Sequence, residues 1–276
     1  MFTDLKDSTK AVVFTIMVLV LAVGFSLVPG MNGFLYMMTP AFSVLLMMLV
    51  VTRDGYSRAG WGSLGLNKLG RKGWAFALLV PVIPVVLGYG IVLLTGLSKL
   101  FIPADFQGIS WKVFPIVLVV LYVKATIMES MGEELGWRGY LLPRMLGLGK
   151  KKAMLLNGLV HGIWHFPIII NTAQYHAGEK LWIILPFTVA STVFLAPVIG
   201  TLRLRTGSVW TASMLHTSHN LFCLIMTSLF VSQSAASSVI AGDMGLVVVI
   251  FYAALTFYLW RKKSRKSVVP NNPQTV

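Results

Sequence analysis

The sequence predicts an all-α integral membrane protein in which about eight transmembrane helices enclose a polar site within the bilayer. Three observations predict it. Hydrophobic residues make up 56% of the 276-residue chain and charged residues only 12%, with a mean hydropathy of +0.78. Several apolar runs reach the roughly 18 residues or more that a helix needs to cross a ~30 Å hydrocarbon core. Basic residues gather in alternate loops. Because the bilayer core holds no water to satisfy backbone groups, helices are the default for such runs.

The spans fall at residues 11–28, 34–52, 74–96, 112–131, 153–171, 181–200, 208–230 and 242–260. The first follows Lys6 and Lys10 and has the general shape of a signal peptide, but Val28-Pro29-Gly30-Met31-Asn32 offers no small-x-small cleavage site. It reads as a retained helix after a short N-terminal segment, residues 1–10. Residues 53–73 form a basic, glycine-punctuated loop with an interfacial turn expected around Trp61. The fourth run could stay helical over residues 111–143. At about 1.5 Å per residue that exceeds the bilayer thickness, so it must tilt, kink or emerge. Residues 11–260 form one membrane domain, and the chemistry-bearing positions fall within 129–224. The tail, 261–276, opens with a basic cluster and ends in Pro270-Asn271-Asn272-Pro273, a composition that reads as disordered.

The net charge of +14 would suggest nucleic acid in a soluble protein, but its placement excludes that partner and points to membrane lipid. With the N-terminus in the cytoplasm, 18 of the 23 basic residues lie in cytoplasmic segments. Lys99, Lys112 and Lys180 fall on the other side, and Lys124 and Arg138 within a span. The expectation is a multi-pass protein of the cell membrane with both termini cytoplasmic. Cys223, the single cysteine, excludes an intrachain disulfide or a cysteine-based zinc cluster.

Three of the nine acidic residues, Glu129, Glu133 and Glu134, sit within six positions at the end of the fourth run. A carboxylate in a membrane helix costs about 2.5 kcal/mol or more on insertion scales, so such residues are rare and usually functional. The bland alternative is a solvated turn past the membrane edge. At helical spacing Glu134 and Arg138 share a face and can pair, while Glu133 points about 100° away toward another neighbour. Glu129 lies one turn before Glu133, where a like charge favours protonation of one of the two. Four of the five histidines also fall in spans: His161 and His165 on one face of the fifth, His216 and His219 in the seventh, with Asn220 on the face of His216. A lone membrane histidine is more often an interhelical hydrogen bond. Four beside an acid cluster are not. Counted inward from the cytoplasmic ends, Glu133 lies ~15 Å deep, His165 ~18 Å, His216 ~12 Å and Asn220 ~18 Å, so they share one layer.

A carboxylate beside imidazoles and an amide suits activation of water for attack on a carbonyl. Glu133 would be the base, His165 would hold the water, His216 and Asn220 would stabilise the oxyanion, and Glu134 with Arg138 would supply orientation and charge balance. A zinc version is equally open, with His165, His216 and Glu133 as ligands and His161 as a further candidate. Serine, aspartyl and His-Glu-x-x-His routes lack their residues.

The run Glu133-Glu134-Leu135-Gly136-Trp137-Arg138 resembles the EExxxR motif of the CPBP family, the bacterial relatives of the Rce1-type CAAX prenyl endopeptidases, also called the Abi family. His165 matches the end of its second motif, and His216 with Asn220 matches HxxxN. The second motif usually opens on an aromatic residue, and here that position is His161. The resemblance implies an eight-helix membrane fold and a glutamate-dependent endopeptidase, commonly labelled a metalloprotease, acting on membrane-associated protein or peptide substrates. Two other readings share the residues: a proton-coupled transporter using the acids and Arg138 as a relay, and a non-catalytic bacteriocin-immunity or scaffold protein of the same fold.

Overall fold

A computed structural model describes residues 5–176 and 178–264. The apolar runs are helical. α1 (Asp7–Ser26) is a full span. The second run is broken: Asn32 caps α2 (Gly33–Met37), Pro40 starts α3 (Thr39–Leu46) at a position where its missing N–H is harmless, and a π-helical turn, Met47–Val51, follows. The basic loop carries α4 (Arg58–Ser63), whose Trp61 indole donates to the Gly55 carbonyl at 2.7 Å. The third run divides at prolines into α5 (Trp74–Leu79) and α6 (Val82–Leu94). The fourth is kinked. α7 (Phe114–Ile127) ends at Met128, α8 (Glu129–Glu134) follows, then a π-helical stretch, Leu135–Leu141, and α9 (Leu142–Met145).

Beyond it lie α10 (Lys150–Trp164), α11 (Phe166–Asn171), α12 (Leu181–Thr206), α13 (Val209–Leu229), α14 (Ala236–Ala241) and α15 (Leu246–Ser264). Helix α15 carries Arg261, so the basic cluster begins on a helix; the expected disordered tail lies, from residue 265 onward, outside the described residues.

Six helical stretches among the described residues are long and apolar enough to cross a membrane: Asp7–Ser26, Arg71–Leu94, Phe114–Leu148, Lys150–Asn171, Leu181–Thr206 and Ala236–Arg261. The expected eight are not reached. The apolar helix in the second run, Thr39–Val51, is shorter. The seventh run, α13, has 21 residues, but its histidines, serines and threonines lower its hydropathy. Those polar side chains face protein: Ser213, His216, Thr217, Ser218 and His219 are all buried.

Two short antiparallel ladders, not anticipated from the sequence, tie loops together. β1 (Ser98–Leu100) pairs with β4 (Phe230–Ser232), and β2 (Asp105–Phe106) with β3 (Ile109–Ser110). The second turns at Gln107 and Gly108, whose φ values of 52° and 83° match the tight turns that suit a hairpin.

Two apolar clusters flank the molecule's polar centre. One joins Phe14 and Val18 of α1 to Tyr36, Trp137, Tyr140 and Trp164. The other joins Val198 and Leu202 of α12 to Leu215 of α13 and Tyr252 of α15. Large apolar side chains are exposed along the outer faces, such as Val20 on α1, Leu87 on α6 and Ile116 and Val119 on α7. In water such a belt would be untenable; in lipid it is the solvent-facing surface.

Candidate active site

The site is built where the fourth run changes its helical pitch. At the π-helical stretch Leu135–Leu141 the wider turn leaves backbone groups without their usual partners. The Trp137 carbonyl, which accepts from the Leu142 amide of its own segment, takes a second donor from another helix, the Asn157 side-chain amide at 2.9 Å. Asn157 lies one turn before His161 on α10, so the contact that secures the π stretch also sets the height of that histidine. Trp137 stacks on the His161 ring at 5.0 Å and 28°.

Helix α10 comes close enough because of Gly158 and Gly162. A Cβ on Gly158 would lie 2.6 Å from the Thr192 carbonyl oxygen, and one on Gly162 would lie 2.6 Å from the Thr192 hydroxyl. This small-xxx-small pair seats α10 directly on α12. A second seam joins α13 to α7 and α8. Thr217 donates to Ser130 at 2.8 Å, and Ser213 to the Thr126 carbonyl at 2.5 Å. The sequence signal for these supports was present in the glycine spacing and in the Ser/Thr density of α13.

The adjacent glutamates take separate partners. Glu133 is 2% exposed, and its Oε2 lies 2.9 Å from His161 Nε2. Glu134 is fully buried; its Oε1 accepts from Arg138 Nη1 at 2.8 Å and from His216 Nδ1 at 3.0 Å. A solvated turn past the membrane edge is therefore not where these two lie. Glu129 differs: partly exposed, it pairs with Lys124 rather than with either glutamate. His165 is held through a contact between its Nδ1 and the His161 carbonyl at 3.1 Å, with the two rings 5.0 Å apart. The His161 and His216 rings are 6.1 Å apart. Glu133, Glu134, Arg138, His161, His165 and His216 thus form one cluster.

Glu133, His161, His165, His216 and Asn220 line a cavity of about 590 Å³, whereas Glu134 and Arg138 do not. Asn220 is exposed, its side chain making no hydrogen bond among the described residues. His219 also lines the cavity but stands apart from the cluster: its ring nitrogens meet the Asp243 carbonyl and the Tyr252 hydroxyl, each at 3.1 Å. Of the cavity's charged groups in loops, His176 faces Glu179 at 3.3 Å and Asp243 at 3.5 Å. Burial opposes its charge, but the Glu179 hydrogen bond and the Asp243 charge prevail and hold its pKa above the ordinary histidine value.

Glu133, His161 and His165 also form a group that could hold a metal ion, their ligand atoms lying within 4.8 Å of one another. This differs from the set expected from the sequence, since His161 takes the place given to His216, whose Nδ1 is occupied by Glu134. The donor types suit zinc. The hydrogen bonds do not. Arg138 Nη1 lies 3.5 Å from His161 Nδ1, at the outer limit of a hydrogen bond; a guanidinium can only donate, so this contact favours the tautomer with the proton on Nε2, facing Glu133. A metal ligand at Nε2 would put that proton on Nδ1, donor against donor.

Fold and site together define a polytopic membrane protein with a buried carboxylate–imidazole centre in a cavity whose walls are largely apolar. Residues 111–222, which hold every member of the cluster, match the family described as Type II CAAX prenyl endopeptidase Rce1-like. This match, over about two fifths of the chain, supports the resemblance of its three motifs to the CPBP/CAAX protease family. Among curated proteins, none matches the chain.

Proposed function

We propose that the protein is an intramembrane endopeptidase that hydrolyses peptide bonds of membrane-associated substrates with water activated by Glu133. One observation carries the assignment of the base: of two adjacent buried glutamates, only Glu133 reaches the cavity, while Glu134 is spent on Arg138 and His216.

His161 Nε2–H donates to Glu133 Oε2 and aims the carboxylate, leaving Oε1 to take a proton from water. His165, whose Nδ1 is turned to the His161 carbonyl, presents Nε2 to that water. As the O–C bond forms, the carbonyl oxygen becomes an oxyanion. His216, in the protonated form whose charge Glu134 balances, donates to it from Nε2, and the Asn220 amide supplies a second donor. Collapse breaks the C–N bond, and the proton held by Glu133 passes to the leaving amine. Arg138 touches none of the reacting atoms; it pairs with Glu134 and holds it in place. The family match lends no support to the transporter or non-catalytic alternatives.

The test is Glu133→Gln, which keeps the shape and removes the base. Turnover should fall by about 10²–10⁴, the usual worth of general-base catalysis, while the protein still inserts and elutes as a folded species. Peptide termini in membranes carrying the wild type or the variant provide the readout, and undiminished cleavage by the variant overturns the proposal.

A further inference from the structure

Three arginines among the described residues are buried or half-buried, and two of them meet a carboxylate. Arg138 pairs with Glu134 at 2.8 Å and Arg144 with Asp54 at 3.5 Å. Arg203, near the C-terminal end of α12, is 7% exposed and meets no carboxylate among the described residues. Its Nη2 donates to the Ser63 carbonyl at 3.3 Å, and its Nε is buried without a partner. A guanidinium has five N–H donors and does not shed its charge. The carbonyl end of a helix offsets about half an elementary charge, so the remainder calls for an anion.

The loop after α4 is built around this group. Gly65 adopts a φ of +82°, and a Cβ there would lie 2.6 Å from Arg203 Cζ and Nη2 and 2.8 Å from the Gly207 carbonyl oxygen. The Gly65 carbonyl accepts from the Val209 amide at 3.1 Å, and the Leu66 carbonyl from the Trp210 indole at 2.9 Å. These bonds fasten the loop to the turn between α12 and α13. A Cβ on Gly207, within that turn, would lie 3.4 Å from Lys68 Nζ, so Arg203 and Lys68 flank one backbone contact. Lys68 and Arg205 are both exposed. Asp54, the only acid among residues 53–73, is held by Thr52 and Arg144. The indoles of Trp61, Trp74 and Trp210 donate to the carbonyls of Gly55, Leu69 and Leu66. Tryptophans gather where a membrane meets water, and three beside Arg203 put it at the depth of lipid headgroups.

We propose that Arg203 and Lys68 form a binding site for the phosphate of an anionic phospholipid. The guanidinium supplies forked donors to the phosphate oxygens, and Lys68 adds a point charge beside them. Basic pockets between membrane helices hold anionic headgroups by these means. Leu69, 49% exposed beside Lys68, offers apolar surface to the acyl chains. A choline headgroup would bring its own cation against Lys68 and Arg205. Neither Arg203 nor Lys68 lines the cavity of Glu133, so binding is read without turnover and stands apart from the endopeptidase reading.

Native mass spectrometry of the full chain, released from non-ionic detergent and titrated with dioleoylphosphatidylglycerol, dioleoylphosphatidylcholine or inorganic phosphate, tests the site. The wild type should bind phosphatidylglycerol about tenfold more tightly than phosphatidylcholine. Arg203→Met, which keeps the aliphatic stem, should weaken phosphatidylglycerol binding about tenfold or more, the worth of one charge-assisted hydrogen bond. Lys68→Met, at an exposed position, should weaken it about threefold, whereas Lys150→Met, exposed on another basic loop, should leave it unchanged. Equal affinity for the two lipids, wild-type affinity in Arg203→Met or Lys68→Met, or an equal loss in Lys150→Met overturns the site. Inorganic phosphate that displaces phosphatidylglycerol at equal concentration overturns the lipid as occupant. Lys68→Met decides alone if Arg203→Met does not fold.

Discussion

Replacing Arg138 by Met keeps the aliphatic stem and removes the guanidinium from a pair in which both side chains are fully buried. Glu134 then retains one donor, His216 Nδ1 at 3.0 Å, in place of two. Stranding one member of a buried pair costs about 3–5 kcal/mol, because the remaining charge keeps its desolvation penalty and loses its compensation. The double variant Arg138→Met/Glu134→Gln removes that charge as well, and the amide carbonyl introduced by the second substitution can still accept from His216. It should recover about 2 kcal/mol or more of the loss, a coupling in the range expected for residues in one network. Denaturant titration in detergent micelles, followed by tryptophan fluorescence, measures both. The reasoning fails if Arg138→Met is within about 1 kcal/mol of wild type, or if the double variant is merely the sum of the two single losses.

Three further outcomes follow from the site and its rim. His161→Phe preserves the stack on Trp137 but removes the donor to Glu133, worth about 1.5 kcal/mol at the lower end for a charged acceptor. Turnover should fall about tenfold at constant KM, with partial return in His161→Gln; full turnover in the Phe variant would show that Glu133 needs no help from position 161. Hydrolysis should survive exhaustive chelation, since His161 Nε2 is committed as a donor to Glu133; activity lost to a chelator and restored by zinc alone would refute that tautomer. His176 has a pKa raised above 6.5 in the folded chain, so its ion pairs contribute fully below the unfolded value and fade as pH rises through the folded one. Asn tolerates the left-handed backbone at this position, φ 53°. The stability gap between wild type and His176→Asn should therefore be widest below about pH 6.5, narrowing above it; a gap that stays constant with pH would sink the assignment.

The sequence by itself determined what is local. Hydropathy over a window of about twenty residues marked the helices, and i,i+4 spacing put Arg138 beside Glu134 and His165 beside His161, because such contacts need only one helix. Local pattern also exposed Glu133 and Glu134 as misplaced charges in an apolar run. Contacts between helices were not legible in that way. Which glutamate faces the cavity depends on how α8 is rotated against α13, and the π-helical stretch alters that rotation after Glu134. His161 stands against Glu133 only because Gly158 and Gly162 let α10 settle onto α12 while Asn157 grips the Trp137 carbonyl. His219 shares a helix with His216, yet packing on α15 gives it to Tyr252 and Asp243. Periodicity fixes which residues share a face; only the packed bundle decides what each face meets.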